Sequence, residues 1–188
     1  MTDVFDVAAW TSAHLTELEI PHMFIGGIAV QAWGESRVTR DVDLSVLARF
    51  GDEKNVVDKV LSRIRTRLPN ATEHALKHRV LLCQSEDGIG IDIGLAAFPY
   101  EEDALKRSAP VEMIPGITLP LISPSDLVIT KVFAGRPRDW DDVVGIVRRQ
   151  RQLDWSLIER NLSSLLELIE DPERLGRLLA IRESDSDS

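Results

Sequence analysis

The spacing of hydrophobic positions predicts alternating helices and strands along the first part of the chain. Residues 5–19 carry apolar side chains at about every third or fourth position, and Pro21 follows as a stop signal, so we expect a first helix there. HMFIGG (22–27) is typical of a short buried strand that ends in glycines, and IAVQAWG (28–34) of a helix that begins on them. The next predicted strand is DVDLSVL (41–47).

The middle of the chain predicts one more helix and a β-hairpin. Apolar residues recur with helical spacing over residues 53–68. HRVLLCQ (78–84) and GIGIDIGLA (88–96) are strand-like runs on either side of a turn, which is the pattern of a hairpin. A short acidic helix near 100–107 and the extended stretch ITLPLI (117–122) complete this part.

The pattern changes at Ser123, which is a helix-start residue, and helical spacing continues with breaks to about Ile181. Gly135 ends one of these helices and Pro137 begins the next. The predicted fold class is therefore α+β (α/β), a mixed β-sheet flanked by helices with a C-terminal helical segment. We divide the chain into a core of residues 1–122, a C-terminal helical region of residues 123–182 that packs on the core, and a disordered acidic tail of residues 183–188.

Composition and charge narrow the range of functions. The 22 Lys and Arg against 31 Asp and Glu give a net charge of −9, which disfavours non-specific adhesion to nucleic acid or an anionic membrane. Cys83 is the single cysteine and is interpreted as a small buried hydrophobe, so a reducing compartment is expected. The acidic start is unlike a secretory signal, and no apolar run reaches membrane-spanning length. We therefore expect a cytoplasmic protein with no membrane attachment.

Carboxylates on predicted strands are the main candidates for chemistry. Side chains alternate along a strand, so Asp41 and Asp43 point to the same face, where a cation is needed to offset their repulsion. Asp92 stands between two isoleucines and is expected on the polar face of its own strand. An oxygen-only donor set favours Mg²⁺ or Mn²⁺, because the scattered histidines and single cysteine offer no zinc ligand set.

Simpler interpretations exist for each motif taken alone. An isolated Asp-x-Asp usually marks a turn or a solvated strand edge, and the spacing after Asp41 does not match an EF-hand. Gly26 and Gly27 could form only a tight turn, and they belong to neither a P-loop nor a GxGxxG motif. A glycine pair between a strand and a helix start also lets a phosphate approach backbone N–H groups at the positive end of that helix.

The combination of these motifs resembles the nucleotidyltransferase superfamily of the DNA polymerase β type, and in particular its small prokaryotic branch related to AbiEii toxins and MNT antitoxins. The resemblance rests on three blocks that span about two thirds of the chain: IGGIAVQAWGESRVTRDVDLSV (25–46), GIDIGLA (90–96) and SPSDLVITKVFAGRPRDWDDV (123–143). It implies a polymerase β-like nucleotidyltransferase fold.

The resemblance also implies roles for individual residues. Gly26 and Gly27 would hold the triphosphate, although many relatives have Gly-Ser here, so that one side-chain hydroxyl is lost. Asp41 and Asp43 would bind two divalent ions, and Asp92 would complete the metal site and help to activate the attacking hydroxyl. The later Lys and the Arg-Asp-x-x-Asp segment of this branch correspond to Lys131, Arg138, Asp139 and Asp142, and the basic residues among them would lie near the phosphates.

Cations are needed for the charge that develops on a departing pyrophosphate. Arg37, Arg40 and Lys131 are the candidates, and Lys131 ranks above Arg40 because the Arg40 side chain should start on the face of the strand opposite Asp41. Arg138 and Asp142 could instead pair on a helix surface, being four residues apart. RIRTR (63–67) could contact a polyanion, but it is interpreted as a solvated helix face.

The predicted activity is that of a nucleotidyltransferase (EC 2.7.7 type), which transfers a nucleoside monophosphate from an NTP to an acceptor hydroxyl with two divalent ions. The acceptor could be an RNA end, a protein side chain or a small molecule, and a cognate toxin or antitoxin partner or a homo-oligomer is compatible with the sequence. Two alternatives stay open: a non-catalytic, partner-binding antitoxin-like module, and an aminoglycoside-type antibiotic nucleotidyltransferase.

Overall fold

A computed structural model describes residues 3–186, which form nine helices and one six-stranded sheet. The strands are β1 (His22–Phe24), β2 (Val42–Leu47), β3 (Val80–Gln84), β4 (Gly90–Ala96), β5 (Ala109–Ile114) and β6 (Ile117–Leu121). The helices are α1 (Val4–Glu17), α2 (Gly26–Trp33), α3 (Glu53–Leu61), α4 (Ala71–His78), α5 (Pro99–Arg107), α6 (Pro124–Ala134), α7 (Pro137–Arg149), α8 (Trp155–Leu168) and α9 (Glu173–Ser186). No helix within the described range is long and apolar enough to cross a lipid bilayer.

The sheet is mixed and has the strand order β3-β4-β2-β1-β6-β5. Strands β2 and β4 are parallel, as are β1 and β6, whereas the remaining neighbours are antiparallel. Helix α1 packs against β6 and β2, and α4 packs against β3. The α+β class and the mixed sheet predicted from the sequence are confirmed.

Alternation along β2 and β4 explains how carboxylates come to lie on core strands. Val42, Leu44 and Val46 of β2 are completely buried, and so are the isoleucines on either side of Asp92 in β4. Asp43 and Asp92 occupy the intervening positions and are only half-buried. Burial of the apolar side chains therefore fixes which face carries the acids, as the sequence predicts.

One predicted helix boundary was wrong, and two elements were not predicted. Helix α3 ends at Leu61 rather than continuing to residue 68, because the chain beyond it runs beside β3, where Arg67 N–H donates to the Leu82 carbonyl (2.9 Å). Helix α4 was not predicted, since Ala71 and Ala75 are its only buried side chains and give a weak apolar signal. Strand β5 was also missed, because its side chains are half-buried or exposed.

The end of the chain also differs from expectation. Helix α9 continues through Ser186, so residues 183–186 are helical rather than part of a disordered tail. The last two residues of the predicted tail lie outside the described range.

The described residues divide into two compact units. The first comprises the described residues up to Ile28 together with Val38–Ile122, and it contains the whole sheet. The second comprises Ala29–Arg37 together with the described residues from Ser123 onward. Residues 29–37 therefore group with the C-terminal helices, whereas the sequence alone assigns them to the core.

In the second unit, α6 begins and ends, and α7 begins, at the residues that the sequence predicts. Ser123 caps α6 by accepting a hydrogen bond from the backbone N–H of Asp126 (3.1 Å). Gly135 ends α6 in the left-handed conformation (φ 65°), and Pro137 occupies the first turn of α7. This tight connection brings the last turn of α6 and the first turns of α7 together.

A buried ionic group, here called the Lys131 cluster, links these two helices. It consists of Lys131, Asp139 and Asp142, with Arg37 and Arg136 at its edge. The Lys131 amine donates to Asp139 Oδ1 (3.0 Å) and to Asp142 Oδ2 (2.8 Å), and the three side chains are at most 8% exposed. Arg37 forms a bidentate pair with Asp142 through Nε (2.9 Å) and Nη2 (3.1 Å).

The environment of the cluster favours the ionised carboxylates. Burial by itself would raise the pKa of Asp142, but hydrogen bonds from Arg37 and Lys131 and their positive charges outweigh it and lower the pKa below its usual value. Burial likewise acts to raise the pKa of Asp139, and hydrogen bonds and charges from Arg136 and Lys131 lower it overall. Both acids are therefore held as anions by cations packed against them.

We expect Lys131→Met to destabilise the protein by about 3 kcal/mol, because it leaves two buried carboxylates without the cation that lies between them. Urea unfolding followed by tryptophan fluorescence measures this free energy. Arg138→Met is the matched control: Arg138 is exposed on α7, so its loss should change stability by about 0.5 kcal/mol or less. Equal stability of Lys131→Met and wild type would contradict a structural role for the cluster.

The cluster also predicts the direction of acid sensitivity. Because the folded pKa of Asp142 lies below its unfolded value of about 3.9, its contribution to stability is complete above that pH and is lost as the pH falls through the folded pKa. Asp142→Asn should be less stable than wild type at pH 7 but should lose less stability between about pH 5 and pH 3. Parallel pH profiles of the two proteins would disprove the linkage.

Candidate functional site

Two carboxylates lie side by side on the central strands of the first unit. Asp43 of β2 and Asp92 of β4 are register partners in a parallel pair, and adjacent strands lie about 4.8 Å apart. Both side chains lie on the sheet face opposite the buried valines and isoleucines. The register of β2 with β4 therefore brings together two acids that are almost 50 residues apart in the sequence.

Asp41 joins this pair at the start of β2. The register places Val42 beside Ile91, so Asp41 comes level with Gly90. A Cβ atom at Gly90 would lie only 2.6 Å from Asp41 Oδ1, which shows that the Asp41 carboxylate covers the bare backbone of that glycine. The same strand pair thus carries all three predicted acids.

The glycine turn supports Asp43. Gly26 adopts a positive φ (59°) at the start of α2, and a Cβ atom there would overlap the Asp43 carboxylate. The backbone N–H of Gly27 donates to Asp43 Oδ2 at the long distance of 3.5 Å. The positive end of α2 therefore lies against the Asp43 carboxylate.

The second glycine accommodates a different neighbour. A Cβ atom at Gly27 would overlap the Thr39 hydroxyl, and that hydroxyl in turn donates to the Asp41 carbonyl (3.2 Å). Asp43 and Thr39 therefore fill the space where side chains of Gly26 and Gly27 would otherwise lie. The sequence assigns the space beside these glycines to a phosphate. Thr39 was not identified from the sequence, and its hydroxyl links the glycine turn to the first acid.

Arg67 is a further site residue that the sequence did not reveal. Its guanidinium group forms an ion pair with Asp92, and a Cβ atom at Gly90 would lie 2.8 Å from its Nη1. The interpretation of RIRTR as a solvated helix face was wrong for this residue, because α3 ends before it. Residues 64–67 alternate between arginines at 65 and 67 and β-branched residues at 64 and 66. This two-residue period could have indicated an extended backbone.

The donor set agrees chemically with a divalent cation. Asp41, Asp43 and Asp92 offer carboxylate oxygens, the ligands that Mg²⁺ and Mn²⁺ prefer, on one pair of strands. Among residues 3–186, however, no three His, Cys, Asp or Glu side chains are grouped closely enough to hold one ion together. The Arg67 guanidinium, with its positive charge, pairs with the third acid.

The other residues predicted to contact nucleotide are distributed over both units. Arg40 is exposed immediately before Asp41 in the first unit. Lys131 and Asp139 belong to the second unit and bind each other in the Lys131 cluster, while Arg138 is exposed at the start of α7. The suggested surface pair of Arg138 with Asp142 is wrong, because Asp142 is buried and binds Lys131 and Arg37.

Cys83 takes no part in this chemistry. It is buried on β3, and burial raises the pKa of its thiol to about 12. The thiol therefore stays protonated at neutral pH and offers neither a nucleophile nor a metal ligand. Its interpretation as a buried small hydrophobe is confirmed.

This chain is similar to solved structures. An antigenic nucleotidyltransferase-like protein from Paracoccidioides brasiliensis matches with a TM-score of 0.53 and 17% identity, covering 94% of this chain and 92% of that one. ANT(2'')-Ia in complex with adenylyl-2''-tobramycin matches with a TM-score of 0.46 and 14% identity over 97% of both chains. The first likeness supports the fold predicted from the sequence.

The family is established by sequence. No curated protein sequence matches this chain significantly. The family model described as nucleotidyl transferase AbiEii toxin, Type IV TA system, matches residues 13–174, which include the glycine turn, all three strand acids and the Lys131 cluster. The resemblance seen in the sequence motifs is thereby confirmed, and the chain belongs to the AbiEii family of nucleotidyltransferases.

Proposed function

We propose that this nucleotidyltransferase transfers a nucleoside monophosphate from an NTP to an acceptor hydroxyl, using divalent cations bound by Asp41, Asp43 and Asp92. The observation that carries the proposal is the in-register placement of Asp43 beside Asp92, with Asp43 against the start of α2. A strand pair that needs only a hydrophobic core would gain nothing from adjacent carboxylates, which repel each other.

The reaction is an in-line displacement at the α-phosphorus. The acceptor oxygen forms a bond to this phosphorus, the bond to the bridging oxygen breaks, and pyrophosphate leaves with the electron pair. Mg²⁺ or Mn²⁺, when bound, supplies positive charge that stabilises the attacking and leaving oxygens. Asp92, which lies at the edge of the acid group and is 37% exposed, is the carboxylate proposed to accept the proton of the acceptor hydroxyl.

The triphosphate is assigned to the glycine turn. Backbone N–H groups at Gly26 and Gly27 begin α2, where the helix dipole favours an anion. Arg40, an exposed residue immediately before Asp41 in the sequence, is a proposed cation for the leaving pyrophosphate. The assignment of Lys131, Arg138 and Asp139 to the nucleotide rests on the family resemblance, and within their own unit Lys131 and Asp139 bind each other.

The acceptor is proposed to be an RNA end or a protein side chain, within a toxin–antitoxin system. This choice rests on the description of the matching family as a Type IV TA toxin, which also implies a cognate antitoxin partner. The net charge of −9 favours a short or protein acceptor over a long RNA duplex, because a polyanion gains little from an acidic protein.

We expect Asp43→Asn to reduce nucleotidyl transfer at least a hundredfold, because it removes one of the two paired carboxylates. The assay incubates the protein with each α-labelled NTP, Mg²⁺ or Mn²⁺, and either total RNA or a cell lysate. Asp58→Asn is the matched control, since Asp58 is exposed on α3 and forms an ion pair with Lys54 on the same helix. Wild type that neither transfers label nor binds NTP with metal would refute the proposal and favour a non-catalytic module.

We expect Gly27→Ser, which introduces the residue common in relatives, to lower transfer about tenfold to a hundredfold. The new Cβ atom would displace Thr39 and, through it, the backbone at Asp41. Adding Thr39→Gly should restore activity by vacating the space. Gly176→Ser is the control, because a Cβ atom there meets nothing within 4 Å. Full activity of Gly27→Ser alone would show that the turn tolerates a side chain.

A further inference from the structure

Arg67 is held beside the candidate site by its own backbone. Its N–H donates to the Leu82 carbonyl (2.9 Å), and the adjacent Thr66 forms a bridge with Cys83. Leu82 is in turn the register partner of Asp92 across β3 and β4. The arginine therefore starts on the far side of β3 and needs to extend across only one strand to reach the third acid.

The guanidinium group occupies the place of a cation among the acids. It pairs with Asp92, and its Nη1 lies 2.8 Å from the point that a Cβ atom would take at Gly90. Asp41 Oδ1 lies 2.6 Å from the same point. One positive group is thus placed near two of the three carboxylates proposed to bind metal.

The Arg67–Asp92 ion pair is not locked in place. The side chains of Arg67 and Asp92 are 32% and 37% exposed, so the pair is in contact with water and is readily exchanged. A divalent ion brings twice the charge to the same oxygens.

We propose that Arg67 is a built-in competitor of the divalent cation: it neutralises Asp92 in the metal-free protein and has to release that carboxylate when the ion binds. The inference rests on the proposed metal-dependent function and adds to it a residue that weakens metal binding. Arg67 is a positioning residue in this scheme, since it holds the proposed proton acceptor in place before the substrates arrive.

The competition predicts a tighter metal site without the arginine. Arg67→Met should bind Mn²⁺ about three- to tenfold more tightly than wild type, the range expected when a partly exposed ion pair no longer has to be broken. In EDTA the same variant should melt at a lower temperature than wild type, because the carboxylates lose their counter-ion. Arg67→Lys keeps the charge and should bind Mn²⁺ with an affinity closer to that of wild type.

The experiment measures free Mn²⁺ by electron paramagnetic resonance during titration of the whole protein without nucleotide. Arg65→Met is the matched control, because Arg65 is exposed on the same segment and its removal changes the net charge equally. Its Mn²⁺ affinity should stay within about twofold of wild type. Arg67→Gln is the second variant if Arg67→Met does not fold, as judged by circular dichroism.

The outcomes separate this inference from the proposed function. If wild type binds Mn²⁺ and Asp43→Asn does not, but Arg67→Met binds no more tightly than Arg65→Met, the metal-dependent function stands and the competition is overturned. If neither wild type nor Arg67→Met binds Mn²⁺, both fail together. Tighter binding by Arg67→Met alone supports the competition.

Discussion

The parallel pairing of β2 with β4 is the constraint on which the candidate site depends. It places Asp43 beside Asp92 and Asp41 beside Gly90, although the two strands are separated by two helices and a third strand in the sequence. Adjacent carboxylates repel each other, so this register is sustained by burial of the valines and isoleucines on the opposite face. A slip of one residue would bury the acids and expose the core.

The repulsion is also relieved locally at two of the acids, by a different contact at each. Asp43 lies against the N-terminus of α2, whose dipole favours an anion, and Asp92 is paired with Arg67. The glycines make these arrangements sterically feasible. A side chain at Gly26 would overlap Asp43, and one at Gly90 would crowd both Asp41 and Arg67. The candidate site is therefore organised by charges that belong to the protein.

The second unit also brings two carboxylates together, and there a buried lysine offsets their repulsion. Lys131 lies between Asp139 and Asp142, and this buried ionic group links α6 to α7 and to Arg37. Lys131 and Asp139 are also among the residues that the family resemblance associates with the nucleotide. The proposed nucleotide contact would therefore draw on side chains that already hold the unit together. A buried amine held by two carboxylates has a fixed position, which is a precondition for either role.

The sequence by itself determined the α+β class, most of the strands, the start of α6 at Ser123 and its end at Gly135. It also determined which face of each strand carries an acid. These features depend on local periodicity and capping, which neighbouring residues specify. Only the tertiary structure brought Arg67 to Asp92, placed Thr39 against Gly27, and replaced the expected Arg138–Asp142 pair with the Lys131 cluster. Those contacts join segments distant in sequence, and their partners are selected by strand register and helix packing, for which local composition carries no signal.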